Sequence, residues 1–392
     1  MTIGTIRDDF PMLANWTHLN CGGMAPLPKS VGAELLRVPQ AVVEEGPLRL
    51  LGHDEEFLGI EAARATIARF IGADPDEIAF ATQFSTAVNI VVEGLPWQPD
   101  DEIIVTDEEH PALLIPIMNM ARRRDLTVHR LPATGSADEM LSTFRDLLSD
   151  RTRLVAVSHV TTDSGVRLPA AEITHLAHAH GSLVLFDAAH SVGQFPVDVR
   201  QLGCDFLAMV GYKWLLGPYP SAALYIRASL LDQIEMTWSG SRATQTGSVT
   251  MGVEDLNWIA GARRFEYGGR TFSYDTAMAA GAGYVARLGV ANVEAHAQRL
   301  TAHLHAGLAR VPGARLHSPA DPREATGIAT VSLANMDGVT LSAALRDRWR
   351  IVTRPALRGT SVRISLAAFV EECDVDHLLA SLTTLAAELT PG

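Results

Sequence analysis

One lysine stands alone in a long uncharged stretch. Between Asp205 and Arg227 lie 21 residues, and Lys213 is the only charged side chain among them. Burial disfavours an ammonium ion, so a lysine in such a stretch tends toward a lowered pKa and becomes a competent amine nucleophile. The alternative is a loop lysine whose charged end reaches solvent between two buried strands.

A carboxylate closes another buried stretch. The apolar run Leu183–Phe186 ends at Asp187, and small residues follow. This places Asp187 at the carboxyl end of a strand, where α/β sheets bind their ligands, although an aspartate there can also simply cap the next element. Lys213 and Asp187 together are the two groups that pyridoxal 5′-phosphate (PLP) requires: the lysine forms the Schiff base, and the aspartate keeps the pyridine nitrogen protonated. The pair therefore predicts a PLP site.

A phosphate site is expected at a helix N-terminus, where unpaired N–H groups and the helix dipole meet an anion. Ser85 follows the strand-like Glu77–Phe80 and precedes a helix predicted over Ala87–Gly94. It is placed to act both as helix cap and as phosphate ligand. A serine that only caps the helix is the alternative.

Histidines occur in two contexts. His110 follows the predicted strand Glu102–Thr106, where an imidazole could stack on a flat ring and move protons; an exposed loop histidine is the alternative. His175, His178 and His180 lack the i, i+4 spacing of a helical metal pair, so no metal site is predicted.

Short β-branched runs alternate with amphipathic stretches from about residue 60 to 230, which predicts an α/β fold with a mostly parallel sheet flanked by helices. Near residue 281 the pattern changes to longer helical periodicity. We expect a large domain over 17–284 and a smaller α/β domain over 285–392, which also includes residues 1–16. The runs that carry this prediction are Glu102–Thr106, Leu154–Ser158, Leu183–Asp187, Ala222–Ile226, Ala291–Val311, Gly327–Leu333 and Asp374–Leu389.

Composition narrows the function classes. The 392 residues include 32 basic and 45 acidic side chains, a net charge of −13 that disfavours nucleic-acid binding. The 47% hydrophobic content fits a globular chain. Three cysteines, Cys21, Cys204 and Cys373, lack CxxC spacing, so neither a disulfide framework nor a cysteine zinc site is expected. Neither a signal peptide nor a membrane-spanning stretch is predicted, and we expect a cytoplasmic protein.

Six ordered motifs give a resemblance along almost the whole chain. They are FATQFSTAVN, DEEHPALLIP, SHVTTDSGVRLP, FDAAHSVGQFPVDVRQLGCDFLAMVGYKWLLGP, RFEYGG and SVRIS. In order and spacing they resemble the class V, fold-type I PLP-dependent enzymes of the cysteine desulfurase and isopenicillin N epimerase-like group. The resemblance implies a sheet of the seven-stranded type and a small C-terminal domain.

The resemblance also implies roles for residues at the cofactor ring. Lys213 would carry PLP, Asp187 would bind the pyridine nitrogen and His110 would stack on the ring. His190 stands where the desulfurases usually have glutamine beside the phenolic oxygen, and Thr162 where asparagine is frequent.

At the phosphate, Ser85 and the N–H groups around Phe84 and Ser85 would be ligands. Tyr212 replaces a frequent histidine, Val210 replaces a serine, and Gly269 replaces a threonine that the partner subunit supplies; the neighbouring Arg270 is expected near the partner's site instead.

The substrate end is expected to use arginine. Arg363 matches the arginine that clamps the substrate carboxylate, and Arg354 is a second candidate. The mobile-loop cysteine of the desulfurases is absent, because Ile351–Val362 reads IVTRPALRGTSV. Cys373 lies after the arginine motif and beside acidic residues, where a thiolate is disfavoured.

We therefore expect an enzyme acting on a small α-amino acid, as a homodimer with shared active sites. The favoured reaction is β-elimination with C–S cleavage of a cysteine S-conjugate. Epimerisation or transamination is the first alternative, and decarboxylation or oxidative deamination of such a conjugate is the second. A non-catalytic binding protein of the same fold would be expected to lack Lys213 or Arg363, and both are present.

Overall fold

Strands and helices alternate along most of the chain in the computed structural model, which describes residues 2–51, 54–245, 256–319 and 321–389. The strands are β1 Thr17–His18, β2 Ile78–Ala81, β3 Glu102–Thr106, β4 Thr127–Leu131, β5 Thr152–Ser158, β6 Leu183–Asp187, β7 Phe206–Val210, β8 Ala222–Ile226, β9 Ala314–Leu316, β10 Ile328–Leu333, β11 Ile351–Val352, β12 Arg354–Ala356 and β13 Ser361–Ser365. The helices are α1 Lys29–Glu45, α2 Leu48–Leu51, α3 Glu55–Leu58, α4 Ile60–Phe70, α5 Phe84–Gly94, α6 Pro111–Arg124, α7 Ala137–Leu147, α8 Ala170–Ala179, α9 Val199–Leu202, α10 Phe272–Leu288, α11 Val290–Leu308, α12 Gly338–Trp349 and α13 Glu372–Leu389.

A seven-stranded sheet forms the centre of the large domain, in the order β2-β8-β7-β6-β5-β3-β4. Within it β8 runs antiparallel to both neighbours, and the remaining pairings are parallel. Every residue of β3, β7 and β8 is buried, as expected for strands covered by helices on both faces. The predicted α/β fold with a mostly parallel sheet is confirmed.

Several functional candidates follow the carboxyl ends of neighbouring parallel strands. Asp187 is the last residue of β6, Lys213 comes three residues after β7, and His110 comes four residues after β3. Because β3, β5, β6 and β7 run parallel, these ends lie along one edge of the sheet. The topology thus gathers residues that are up to 103 positions apart in sequence, from His110 to Lys213.

Element boundaries differ little from the predicted ones, with one difference that concerns the site. The helix predicted to begin at Ala87 begins at Phe84, so it includes Ser85 in its first turn. The strand before it is Ile78–Ala81 rather than Glu77–Phe80.

The smaller unit contains an antiparallel sheet in the order β12-β13-β10-β9, with α11, α12 and α13 in the same part of the chain. The N-terminal segment packs against this unit: β1 pairs in parallel with β11, and the guanidinium of Arg7 lies 2.7 Å from a carboxylate oxygen of Asp374. The domain limits 17–284 and 285–392 with 1–16 stay a prediction, and the pairing of β1 with β11 crosses that limit. Among the described residues, no helix is both long and apolar enough to cross a bilayer.

Candidate active site

Lys213 lies buried in the loop after β7, with 6% of the residue exposed. Its Nζ is 3.2 Å from Nε2 of His190. Burial lowers the pKa of the lysine; the Asp187 carboxylate opposes this shift and the Arg363 guanidinium adds to it. The amine is therefore prepared to react as a nucleophile or base, the property predicted from its uncharged surroundings.

His190 has a defined tautomer. The indole N–H of Trp214 donates to Nδ1 at 3.3 Å, and burial holds the pKa of the imidazole well below its usual range. A neutral ring that accepts at Nδ1 carries its proton on Nε2, so Nε2–H faces Nζ of Lys213. His190 is thus a hydrogen-bond donor at the point where the resemblance places the phenolic oxygen of PLP.

Asp187 closes strand β6 in a dry environment. One carboxylate oxygen accepts from the backbone N–H of Ala189 at 2.8 Å, and 4% of the residue is exposed. Burial raises the pKa of this carboxyl, the Lys213 ammonium opposes the shift, and the nearby Glu109 carboxylate adds to it. A pyridinium nitrogen is the kind of partner that restores the ionised form of such a carboxylate.

Glu109 is a site residue that sequence reasoning missed. Its carboxylate accepts from the hydroxyls of Thr106 and Ser158, both at 2.6 Å, and from the backbone N–H of Ser158 at 2.9 Å. It thereby ties the end of β3 to the end of β5, beside the strand that carries Asp187. The sequence signal for Glu109 was its position directly before His110. An acidic residue in a loop after a strand is usually exposed to solvent, so this signal did not indicate a buried role.

His110 is the N-cap of α6, where its Nδ1 accepts from the backbone N–H of Ala112 at 3.1 Å. Burial, and then the positive charges of Lys213 and of two arginines, lower the pKa of the ring to about 4. The imidazole is therefore neutral near pH 7 and carries its proton on Nε2. Stacking of this ring on the cofactor stays a prediction.

Arg363 lies in the middle of β13 and is fully buried. Its Nη1 donates to the backbone oxygen of Thr162 at 2.7 Å, whereas Nε and Nη2 have no partner among the described residues. The Thr162 hydroxyl is buried and unpartnered as well. Burial and the nearby Arg354 lower the pKa of the guanidinium to about 10. Two free N–H groups of one guanidinium are the donor pair that a carboxylate takes in a bidentate contact.

The N-terminal segment also enters the site, which the sequence did not predict. A Cβ on Gly22 would lie 3.1 Å from Cε1 of His190 and 3.2 Å from Nη2 of Arg363, so only a glycine leaves both side chains their place. The neighbouring Cys21 is fully buried; burial raises the pKa of its thiol, and the charges of Lys213 and Arg363 oppose that shift. Cys373, by contrast, is exposed.

The phosphate end needs one correction. Ser85 is not the helix cap: Gln83 holds that position without a side-chain hydrogen bond, and the Ser85 hydroxyl donates to the backbone oxygen of Ala112 at 3.0 Å. The helix begins three residues earlier than predicted, which moves the serine into the first turn. The N–H groups of Phe84 and Ser85 lack an acceptor within the helix and stay available to an anion.

Tyr212 lies next to Lys213 and is partly buried, with its ring edge-on to that of Tyr219 at 4.8 Å between centroids. Burial raises the pKa of its phenol to about 12, so the hydroxyl stays protonated and can donate. Contact with the phosphate stays a prediction.

Gly269 and Arg270 lie in the segment just before α10. The Arg270 guanidinium pairs with Glu266 at 2.8 Å and with Asp275, and donates to the backbone oxygen of Phe80 at 3.1 Å. Gly269 is exposed. A cavity of about 300 Å³ separates Arg270 from Thr82, just before α5. The approach of these residues to a partner subunit stays a prediction.

The residues present fit PLP. A buried amine, a buried carboxylate and two neutral imidazoles meet at one sheet edge, an uncapped helix N-terminus begins nearby, and an orphaned guanidinium marks the place of a carboxylate. When bound, PLP supplies an electron sink for the Cα of an amino acid.

Comparisons with known proteins agree with this geometry. Residues 53–378 match the sequence model described as aminotransferase class V. The chain is 31% identical to isopenicillin N epimerase of Streptomyces clavuligerus over 95% of each chain, and 29% identical to a probable cysteine desulfurase of Methanothermobacter thermautotrophicus over 97% of each. A solved structure of the cystine C–S lyase C-DES with its product cysteine persulfide superposes with a TM-score of 0.87 at 28% identity, covering 95% of this chain and 99% of that one. The chain belongs to the class V aminotransferase family and is a PLP-dependent enzyme.

Proposed function

We propose that the protein is a C–S lyase that cleaves a cysteine S-conjugate by β-elimination. The observation that carries the proposal is the connection between β12 and β13. Ala356 pairs with Ser361, so four residues complete the turn, and none of them is cysteine. A desulfurase needs a thiol that reaches the substrate sulfur, and this turn offers none.

Cys21 does not replace that thiol in the proposal. It is fully buried, and burial raises the pKa of its sulfur, which disfavours the nucleophilic thiolate. The sulfur of the substrate therefore leaves with its own substituent instead of being transferred to the protein. The cystine C–S lyase and the desulfurases among the similar proteins support C–S chemistry at this kind of site.

The side chains divide the work as follows. Arg363 holds the substrate carboxylate through Nε and Nη2 and so orients the bonds at Cα. The amine of Lys213 takes the Cα proton, since burial lowers its pKa and so raises the fraction of free amine near neutral pH. As the Cβ–S bond breaks, the proton that Lys213 has taken from Cα is available to the departing sulfur, and Nε2–H of the neutral His110 donates a hydrogen bond to that sulfur. The balanced products are a thiol, pyruvate and ammonia, with one water consumed.

The test is to incubate the PLP-loaded protein with S-substituted cysteines and ordinary amino acids. We expect equal amounts of pyruvate and thiol from the conjugates, and the same yield from the Cys21→Ala variant. Racemised substrate without pyruvate would instead establish an epimerase, which the 31% identical relative makes the second candidate. A sulfur-containing 2-oxo acid would indicate transamination, or oxidative deamination if ammonia is released and oxygen is consumed with it. Carbon dioxide would indicate decarboxylation.

We also propose that the enzyme is a cytoplasmic homodimer with shared sites. The segment Arg264–Phe272 supports the dimer, because Gly269 is exposed in it and cavities of about 300 and 740 Å³ lie beside it. Light scattering at micromolar concentration should give twice the mass of one chain. A fully active monomer would refute the dimer and leave the cofactor assignment intact.

A further inference from the structure

The cavity beside His110 is lined mainly by two segments of the chain. Its volume is about 480 Å³, and the two segments are residues 107–111 and residues 354–359. In the pairing of β12 with β13, Arg354 lies directly opposite Arg363. The cavity therefore begins beside the arginine that is proposed to hold the substrate carboxylate, which makes it the space available to the substrate side chain.

The loop after β5 joins these two segments. The backbone N–H and the hydroxyl of Ser164 donate to the carboxylate of Glu108, in the first segment, at 3.0 and 2.7 Å. The carboxylate of Asp163 accepts from the backbone N–H of Leu357, in the second segment, at 2.8 Å. These hydrogen bonds set the distance between the two walls of the cavity.

Asp163 also contacts the sheet that carries the substrate arginine. Its backbone oxygen accepts from the hydroxyl of Thr330, which is the direct partner of Arg363 in the pairing of β10 with β13. The backbone oxygen of the preceding Thr162 accepts from Nη1 of Arg363 at 2.7 Å. Two consecutive loop residues thus hold β10, β13 and the turn between β12 and β13 together.

That turn, residues 357–360, has a backbone that needs support. Leu357 and Arg358 have φ angles of 47° and 56°, in the left-handed region, although both carry a Cβ. This conformation costs free energy and persists only where the surroundings hold it. Within the turn, the N–H and the hydroxyl of Thr360 donate to the backbone oxygen of Leu357 at 3.2 and 2.8 Å. Asp163 holds the N–H of the same leucine from outside the turn.

The charge of Asp163 acts on the substrate arginine as well. Its carboxylate raises the pKa of the Arg363 guanidinium, against the effects of burial and of Arg354. Nε and Nη2 of Arg363 nevertheless have no hydrogen-bond partner among the described residues. Asp163 thus offsets part of the positive charge without occupying the two donors that a substrate carboxylate would use.

We propose that Asp163 determines which substrate sizes the site accepts, because it holds the β12–β13 turn in place as the outer wall of the cavity. This rests on the proposed function only in so far as Arg363 holds the carboxylate of an amino acid. In a C–S lyase, the group limited by this wall is the substituent on the substrate sulfur. Loss of the hydrogen bond to Leu357 lets the turn move outward and admits larger side chains.

The first measurement needs no ligand. Hydrogen exchange of the peptide that covers residues 357–360, followed by mass spectrometry, reports how firmly the turn is held. Asp163→Ala should speed this exchange by about tenfold or more, whereas Asp163→Asn, whose amide oxygen still accepts, should stay within about threefold of the parent. Asp163→Ser, whose hydroxyl lies one bond closer to the backbone, replaces the alanine variant if that variant does not fold.

Asp107→Ala is the matched control. The Asp107 carboxylate lines the same cavity and accepts from the backbone N–H of Ala133 at 2.9 Å, so the variant removes a bond of the same kind at a different segment. It should leave exchange at the β12–β13 turn unchanged.

The second measurement is of size selectivity. The PLP-loaded proteins are titrated with L-alanine and L-phenylalanine, and the visible cofactor spectrum gives the two dissociation constants. Asp163→Ala should shift their ratio by about fivefold or more in favour of L-phenylalanine, whereas Asp163→Asn and Asp107→Ala should stay within about twofold of the parent. Neither amino acid has a C–S bond, so the result does not depend on lyase activity.

Unchanged exchange at the turn in Asp163→Ala would overturn the proposal. Faster exchange without a shift in the ratio would also overturn it, because the turn would then not limit the substrate. An equal shift in Asp163→Asn and Asp163→Ala would overturn it by assigning the effect to the charge near Arg363. The expected exchange and ratio, without pyruvate from any S-substituted cysteine, would leave the inference standing and refute the lyase.

Discussion

The cofactor site has a ring end, around Lys213 and Asp187, and a phosphate end, at the start of α5. The two ends differ in how far the residues of one chain enclose them. At the ring end, Asp187, His190 and Lys213 are buried, and Glu109 ties the strand ends together. At the phosphate end, α5 begins without a side-chain cap and Gly269 is exposed. The ring end is thus buried within one chain, whereas the phosphate end is open, and the proposed dimer would cover the open end.

The largest effect should come from the ring end. Lys213→Ala should reduce turnover by at least about 10³-fold, since it removes both the attachment point and the base. After borohydride reduction, mass spectrometry should find PLP on Lys213 of the parent. The chain has one other lysine, Lys29, an exposed residue at the start of α1. Lys29→Ala should keep activity and adduct; an adduct on Lys29 of the parent would refute the assignment.

The dryness of the ring end also predicts a pH dependence of folding. His159 donates its backbone N–H to the backbone oxygen of Asp187, and its ring packs between Phe186 and Phe195. Burial lowers its pKa to about 3, so the native state keeps the ring neutral while the unfolded chain protonates it near pH 6.5. The neutral His159 ring therefore leaves the free energy of unfolding undiminished above pH 6.5. As the pH falls from 6.5 toward 3, protonation of the unfolded chain lowers that free energy.

Between pH 6.5 and 4.5 the protein without cofactor should therefore lose roughly 2.5 kcal/mol more unfolding free energy than its His159→Gln variant. Urea unfolding at several pH values measures the difference. Other titrating groups occur in both proteins and cancel. His175→Gln, at an exposed position, should follow the parent. Parallel pH curves for parent and His159→Gln would show that the ring end is hydrated.

A smaller effect should distinguish the residues that bind the cofactor ring from those that bind the substrate. Arg363→Lys should weaken amino-acid binding by roughly 10- to 100-fold, because a point charge replaces two parallel N–H donors, and the cofactor spectrum should survive. A titration with amino acid, followed by the visible spectrum of the cofactor, measures the affinity and shows whether the cofactor spectrum survives. Unchanged affinity would mean that Arg354 or Arg358 holds the carboxylate. Arg315→Lys, at an exposed arginine of the same sheet, serves as control.

The smallest effect concerns the thiols. Replacing Cys21, Cys204 and Cys373 together by alanine should leave turnover within a few-fold, because the proposed β-elimination needs no protein sulfur. The single variant Cys21→Ala is the informative one, since its thiol lies close to Lys213 and Arg363. Complete loss of activity in it, with folding intact by circular dichroism, would restore a persulfide mechanism.

The sequence predicted the ring end better than the rest. Lys213 and Asp187 stand in long apolar runs, so their burial was readable from neighbouring residues. Cys21 and Gly22 reach the site from the opposite end of the chain, and no local pattern indicates a contact between residues 22 and 365. The helix start at Phe84 was missed because Gln83 is a poor cap, and Glu109 because its partners lie on two different strands.

The pairing of the N-terminal segment has a consequence for synthesis on the ribosome. The N–H of Gly22 donates to the hydroxyl of Ser365, 343 residues later, and β1 pairs with β11. At about 5–20 residues per second, the emerging segment waits roughly 20–70 s for these partners. Until then the thiol of Cys21, which the finished enzyme buries, lacks the cover that these late partners give its segment.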